Sequence, residues 1–336
     1  MKAMQIWAPG APLEFVEREI PLPGAHQVRI RVKACGICHG DVLVQEGLPI
    51  FNVTFPRIPG HEVAGVIDAL GPGVEGWTVG QRVGVGWHHT SCGTCWHCRR
   101  GDVACCKERV ITGTRVDGGY AESMVADVQS LVRIPDGLAF EQAAPLLCAG
   151  LASFGALSNS GARPGELVAI LGVGGLGHLG IQFARRMGFR TVAISVGRDS
   201  ETAALALGSH AYIDAGTTDA AQALQSMGGA SVVLATAADA KAVEAALDGL
   251  RPTGKMMLVA GFPQPISIHT HQLVDVKCSI QGWNVGGPAD SEEMLAYCML
   301  HDIRPIVETY PLERAPFAFE RMVRSQARFR AVLTME

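Results

Sequence analysis

Four cysteines constrain this chain more than any other feature: Cys92-Gly-Thr-Cys95-Trp-His-Cys98, then seven residues, then Cys106. Two CxxC steps and a later return let one short loop fold around a single ion. Four thiolates in a tetrahedron are the donor set of a structural zinc site. An iron–sulfur cluster is the alternative that the spacing leaves open. Cys105 stands beside Cys106, so spacing alone does not decide which is the fourth ligand. Disulfides are not expected. The opening stretch MKAMQIWAPGAPLEF lacks the apolar core of about 7–15 residues that marks a signal peptide. No uninterrupted apolar stretch reaches the roughly 18 residues of a membrane span. A cytoplasmic location is therefore expected, where thiols stay reduced and metal binding is the better account of them. Cys35, Cys278 and Cys298 belong to no such pattern and are expected to be small buried hydrophobes.

At 336 residues and 48% hydrophobic content, the chain suits two domains rather than one small core. The net charge of -4 gives no reason to expect a nucleic acid or a membrane surface as partner. Residues 1–150 read as short strands between Gly and Pro turns, such as Val28–Val32, Val63–Ile67 and Arg82–Val85. The texture changes near Pro164 and Gly165. Leu167–Leu171 is an unbroken apolar run, as a strand covered on both faces should be. Further strands are expected at Thr191–Ser195, Ala211–Ile213, Ser231–Ala235, Lys255–Ala260 and Cys278–Trp283. Helices are expected between them, around Leu176–Met187, Ser200–Leu207, Asp219–Met227 and Ala240–Leu250. Six strands alternating with helices predict an α/β, doubly wound parallel sheet over 151–286. Residues 287–336, with a helix at Ser291–Leu300 and a strand at Phe329–Thr334, are expected to return to the first domain.

Between the first of those strands and the helix that follows lies Gly172-Val-Gly174-Gly175-Leu176-Gly177. In a strand–turn–helix setting this is a dinucleotide fingerprint, with the pyrophosphate lying at the helix N-terminus. An acidic residue at the end of the second strand would bind the ribose 2′-hydroxyl of NAD and repel the 2′-phosphate of NADP. Ser195 stands there instead, and Arg198 lies three residues on, where it can pair with a phosphate. NADP(H) is favoured over NAD(H) on that basis.

A second ligand set is dispersed: Cys38-His39-Gly40-Asp41, Gly60-His61-Glu62, and Cys148 in APLLCAG. Two thiolates and an imidazole make a three-ligand zinc with an open position, and an open zinc is a Lewis acid.

Taken together, these motifs resemble the zinc-containing medium-chain alcohol dehydrogenases, nearest the cinnamyl-alcohol-dehydrogenase-like bacterial branch. The resemblance runs over essentially the whole chain. It includes CGICHGD at Cys35–Asp41, PGHE at Pro59–Glu62, GQRVGVGW at Gly80–Trp87, DGGYAE at Asp117–Glu122, APLLCAG at Ala144–Gly150 and the terminal ARFRAVLTM. It implies a GroES-like catalytic domain, two zinc ions per subunit and a homodimer or homotetramer. It implies that Cys38 rather than Cys35 joins His61 and Cys148 on the catalytic zinc, with Glu62 as a transient ligand. It implies that Asp41 bonds the His61 imidazole, and that Cys106 completes the structural set. By the same likeness His39 and Arg330 lie near the cofactor pyrophosphate, and Trp87 forms a wall of the substrate pocket. Leu48, Ile50, Phe51 and Trp283 are further apolar candidates for that pocket.

The chain also departs from the family pattern. Gly40 stands where a Ser or Thr hydroxyl usually passes the alcohol proton on, Leu43 replaces a relay His, and Ala152 replaces a Thr near the nicotinamide. The Gly40 change implies either an altered pocket shape or chemistry shifted toward reduction, with water able to bridge the gap. The expected reaction is hydride transfer between a primary alcohol or aldehyde, apolar or aromatic, and NAD(P). A polyol or secondary-alcohol dehydrogenase of the same fold is the alternative, and a non-catalytic relative is a more distant one.

Overall fold

A computed structural model of the chain describes residues 1–335. It divides into two compact units, Met1–Leu151 with Val285–Glu336, and Ala152–Asn284.

The unit Ala152–Asn284 is built on a six-stranded parallel sheet in the order Ala211–Asp214, Arg190–Ser195, Leu167–Leu171, Ala230–Ala235, Leu250–Leu258, Ser279–Gly282. All five residues of Leu167–Leu171 are buried, because helices cover both faces of a parallel sheet. The helices include Gly177–Arg186, Arg198–Ala206, Ala220–Ser226 and Ala240–Leu247. Asp219 and Asp239 cap two of them, accepting from Gln222 N at 3.0 Å and Lys241 N at 2.9 Å. The chain leaves the first strand in opposite directions for the second and the fourth. This puts the Gly172–Gly177 turn at the switch point, where open α/β sheets bind ligands. Several boundaries differ from the sequence expectation; the largest shift is the strand expected at Lys255–Ala260, which runs Leu250–Leu258. The helix expected to reach Leu250 ends at Leu247, where Asp248 and Gly249 turn the chain and Leu250 already pairs with Ala230.

The other unit holds a seven-stranded sheet. Its path is Val307–Pro311, Arg330–Thr334, Gln27–Gly36, Val63–Leu70, Arg82–Val85, Leu131–Arg133, with Ser123–Asp127 also paired to Gln27–Gly36. Alternation in Gln27–Gly36 buries Val28, Ile30, Val32 and Ala34, and turns Arg29 and Arg31 outward. Val28, Ile30 and Val32 meet Val63, Ile67, Val83, Val85, Met124 and Leu333 in one core. Register then gathers the functional ends. Cys35 pairs with Val63, Gly36 with Val332, and Val63 with Val85. The residues just beyond or at those strand ends, Cys38, His61, Arg330 and Trp87, therefore collect at one end of the sheet. Cys148 arrives on a π-helical turn, Leu146–Gly150, that follows the helix Phe140–Pro145. π-turns inside helices frequently mark functional positions. The helical run Phe140–Ser158 is long and apolar enough to cross a membrane by length and composition, although it contains Glu141. Most of it is buried within the protein.

Candidate functional site

The first cluster is built by a helix cap. Cys38 precedes the helix His39–Gln45, and its backbone N donates to Asp41 Oδ2 at 3.0 Å while its Sγ accepts from Gly40 N at 3.4 Å. That fixes the thiol 3.9 Å from Cys148 Sγ. Two sulfurs bound to one tetrahedral zinc at about 2.3 Å stand about 3.8 Å apart. His61 is fully buried; its Nδ1 donates to Asp41 Oδ1 at 2.9 Å, and its Nε2 has no partner. An unpaired buried nitrogen is costly unless something else takes its lone pair. The ligand atoms of Cys38, His61, Glu62 and Cys148 all lie within 4.8 Å of one another. Donor types, spacing and the unpartnered nitrogen all fit zinc.

Glu62 is fully buried with one oxygen committed and one free. Oε1 accepts from Arg330 Nη2 at 2.5 Å, and Oε2 has no partner. Burial pushes its carboxyl up to about 8, against the pull of Arg330. The Arg330 guanidinium also donates to the Ile37 carbonyl at 3.0 Å, so it bonds both partners within this cluster. His39, the first residue of the helix, is exposed.

One residue in the cluster carries no assignment from the sequence. Tyr120 is completely buried, and its hydroxyl donates to Asp41 Oδ2 at 2.9 Å. Burial and the neighbouring Asp41 push its ionisation well above the ordinary value, so it remains a donor. DGGYAE was legible as a motif, but nothing local ties its tyrosine to a residue 79 positions away.

The second cluster is the cysteine lobe. Cys92 and Cys98 sulfurs are 3.9 Å apart, Cys95 and Cys98 3.5 Å, and Cys106 and Cys92 3.7 Å. These distances also match the edge of a zinc–thiolate tetrahedron. Cys95 N donates to Cys92 Sγ at 3.3 Å, and this backbone bond, with others from Thr94, lowers the Cys92 thiol to about 6. A lowered thiol favours the thiolate, the form that binds metal. The structure orients Cys106 into the set and Cys105 away from it, toward His97 and Asp102. Cys35 and Cys298 are buried and Cys278 half-buried.

Trp87 stands over the first cluster. Its ring packs edge-on against His61, centroids 4.6 Å apart, and against Phe51 at 5.8 Å. The same ring explains Gly40. A Cβ there would lie 2.8 Å from Trp87 Cζ3 and 2.9 Å from His61 Cε1. The space that a hydroxyl side chain would need is already filled by indole and imidazole. Of the other apolar candidates, Leu48 is half-buried and Ile50 is exposed. Trp283, in the other unit, packs on Gly155.

The turn at Gly172–Gly177 shows why each glycine stands where it does. Gly172 has φ +99°, a conformation that L side chains rarely adopt. A Cβ at Gly177 would overlap the Gly172 carbonyl oxygen, so the helix can start this close only without one. A Cβ at Gly174 would meet nothing within 4 Å. Exposed backbone at a helix N-terminus has the shape and dipole to accept a pyrophosphate. Gly175 and Leu176 complete the turn, and the Leu176 carbonyl accepts from Ser153 Oγ at 3.2 Å. Ser195 is half-buried at its strand end, and Arg198 is exposed at the first position of the next helix. Asp214 pairs with Ser195 in register. Its Oδ1 is committed to Gly197 N at 3.2 Å and Gly216 N at 3.0 Å.

Known proteins match along the whole chain. The family model described as alcohol dehydrogenase GroES-like domain matches residues 24–136, and that described as zinc-binding dehydrogenase matches 175–299. An alcohol dehydrogenase of an Aspergillus species is 40% identical over 97% of this chain and 96% of its own length. One from Geobacillus stearothermophilus is 39% identical over 100% of both chains. A solved cinnamyl alcohol dehydrogenase from Sorghum bicolor, 29% identical, superposes with a TM-score of 0.90 over 99% of this chain and 97% of that one.

The glycine geometry separates two roles. Gly177→Ala forces a Cβ into a carbonyl and should lower stability by about 1–3 kcal/mol, the usual cost of overpacking. Gly174→Ala has room within the protein and should leave the melting temperature unchanged while weakening cofactor binding at least several-fold. Thermal melts alongside cofactor-fluorescence titrations check both. Equal binding by Gly174→Ala and the parent would remove Gly174 from the cofactor site.

Proposed function

Because the chain belongs to the zinc-dependent, medium-chain alcohol dehydrogenase family, we propose that Cys38, His61 and Cys148 hold the catalytic zinc of an enzyme acting on primary alcohols and aldehydes with an apolar or aromatic body. The protein is an NAD(P)-dependent alcohol oxidoreductase of that family. One observation carries the assignment of the site: two sulfurs at tetrahedral spacing beside a buried imidazole whose Nε2 has no partner.

When bound, zinc supplies Lewis acidity that acidifies an alcohol or polarises a carbonyl, and the nicotinamide donates or accepts the hydride. The chain's residues do the rest. Asp41 accepts a hydrogen bond from His61 Nδ1–H, which keeps the proton on Nδ1 and leaves Nε2 as the metal-facing lone pair. Glu62, with one oxygen held by Arg330, keeps the other available as a transient ligand during exchange. Trp87 and Phe51 give the substrate an apolar wall. The likeness to a cinnamyl alcohol dehydrogenase supports an aromatic substrate. Gly40 offers no hydroxyl, so the substrate's proton leaves through water.

The Cys92, Cys95, Cys98 and Cys106 set holds a second, structural zinc in this reading. NADP(H) is the preferred cofactor, since Ser195 replaces an acidic residue, Asp214 is committed to backbone, and Arg198 is exposed beside the turn. All ten cysteines are unpaired and six stand in the two ligand sets, which suits the reducing cytoplasm. A homodimer or homotetramer is proposed as well. Ser279–Gly282 is an open sheet edge beside exposed Val274 and Val276, a surface that pairs readily with another strand.

Metal analysis should find two zinc ions per subunit. Cys95→Ser should lose one and melt at lower temperature, because a closed zinc site contributes its binding energy to folding. Cys148→Ser should lose the other and its activity, with the fold kept. Fully active protein holding a single zinc would overturn this division.

Wild-type protein should give a higher kcat/KM with NADP than with NAD when assayed with benzyl alcohol, and Arg198→Ala should erase the difference. A tenfold preference for NAD would show that Arg198 does not read a phosphate.

Gly40→Ser alone should displace Trp87 and slow the reaction. In a Trp87→Leu background, where the ring is gone, the same serine should speed single-turnover alcohol oxidation near neutral pH by up to roughly 10²-fold over Trp87→Leu, the lower range for a placed acid–base group. No gain in that background would mean that water already moves the proton as well as a hydroxyl can.

A further inference from the structure

The sequence places Tyr120 in a motif without giving it a task. In the structure it completes the hydrogen bonding of Asp41. That carboxylate has two oxygens with separate duties. Oδ1 accepts from His61 Nδ1 at 2.9 Å; Oδ2 accepts from the Tyr120 hydroxyl at 2.9 Å and from Cys38 N at 3.0 Å. Asp41, His61 and Tyr120 are all buried, so no water competes for these bonds. Two of the three groups that hold the carboxylate come from zinc-ligand residues themselves. Tyr120 is the third and comes from a separate segment.

That segment is built to bring the hydroxyl in. Asp117 Oδ1 accepts from Arg57 Nη1 at 2.6 Å and Ile58 N at 3.2 Å. Gly118 N then donates to Ile58 O at 2.8 Å, Gly119 N to Gly60 O at 2.9 Å, and Tyr120 N to Pro59 O at 3.0 Å. The stretch Gly118–Tyr120 is thus bonded, backbone to backbone, along the residues that lead into His61, and Asp117 joins it through its carboxylate. Gly60 is required by this contact. Its φ is +101°, and a Cβ there would overlap the Tyr120 ring. The PGHE and DGGYAE motifs are two halves of one interlock, and the tyrosine is the side chain that passes from one half to the zinc-facing carboxylate.

We propose that Tyr120 is a positioning residue for the catalytic zinc: through Asp41 it sets the orientation of the His61 ring and slows loss of the metal. The inference rests on reading Cys38, His61 and Cys148 as a zinc site. A hydroxyl fixed on Oδ2 stops the carboxylate from rotating, and the ring bonded to Oδ1 is held with Nε2 facing the two sulfurs. Partners one step behind a metal ligand typically contribute about 10–100-fold in metal affinity.

The test is zinc release from the zinc-loaded protein to a chromogenic chelator. Cys148→Ser, which lacks the catalytic site, identifies the phase that belongs to the cysteine lobe. Tyr120→Phe keeps the ring against Gly60 and removes only the hydroxyl. It should speed release from the catalytic site by about 10–100-fold and leave the lobe phase unchanged. Asp41→Asn separates positioning from general loosening, because effects acting through one partner do not add. Tyr120→Phe should add nothing to the release rate of Asp41→Asn, whereas a structural defect would add in full. Release from Tyr120→Phe at the wild-type rate, or full additivity with Asp41→Asn, would overturn the proposal. Wild-type protein that shows only the lobe phase would instead remove the catalytic-zinc reading beneath it, a result distinguishable from either.

Discussion

The register between Gln27–Gly36 and Val63–Leu70 is the constraint on which the candidate site depends. Cys35 opposite Val63 brings Cys38 and His61 past the same end of two antiparallel neighbours. Pairing of Gly36 with Val332 and of Val63 with Val85 adds Arg330 and Trp87 to that end. A one-residue slip would turn every side chain of a strand to the opposite face. It would also put Val28, Ile30 and Val32 into solvent, so the hydrophobic core and the ligand geometry enforce the same register. The bulges in this pair, at Arg29–Ile30 and between Val32 and Ala34, let the strand bend without losing it.

What collects at this sheet end is costly to bury. Asp41, His61, Glu62 and Arg330 are each at most 5% exposed, and an isolated charge there would be prohibitive. The groups are tolerated because each answers another: Asp41 answers His61 and Tyr120, and Arg330 answers Glu62 and the Ile37 carbonyl. A buried ion pair such as Arg330–Glu62 is weak evidence for stability, since desolvation cancels much of the attraction. Its use here is geometric. It pins one carboxylate oxygen and leaves the other beside the sulfurs and the free imidazole nitrogen.

Legibility followed the range of the interactions. The cysteine lobe and the glycine turn were readable because their parts lie within 15 and 6 consecutive residues. The central strand Leu167–Leu171 of the parallel sheet was the most readable, because burial on both faces writes an unbroken apolar run into it, whereas the edge strand Ser279–Gly282 is partly exposed and mixed in polarity. Helix ends were less so: Leu250 fits a helical pattern but is claimed by the strand beside Ala230. The choice of Cys38 over Cys35, and of Cys106 over Cys105, came from resemblance and not from spacing. In the structure the first depends on a helix cap and the second on a turn that directs one of two adjacent thiols inward. Tyr120 and the filling of Gly40 by Trp87 left no local trace, because each joins segments brought together only by the sheet.

The site is specified as much by missing side chains as by present ones. A Cβ at Gly36 would overlap Glu62 Oε2, one at Gly60 would overlap the Tyr120 ring, and one at Gly40 would crowd Trp87 and His61. In each case the glycine makes room for a large group from another segment of the cluster around His61. Close packing is what turns such a vacancy into a constraint, since an interior near crystal density has nowhere to put the displaced atoms. The glycine at 40 therefore belongs with the tryptophan at 87 as one unit. Its lack of a hydroxyl and the edge-on packing of an indole against the buried His61 imidazole are the same structural fact, and neither residue can be interpreted without the other.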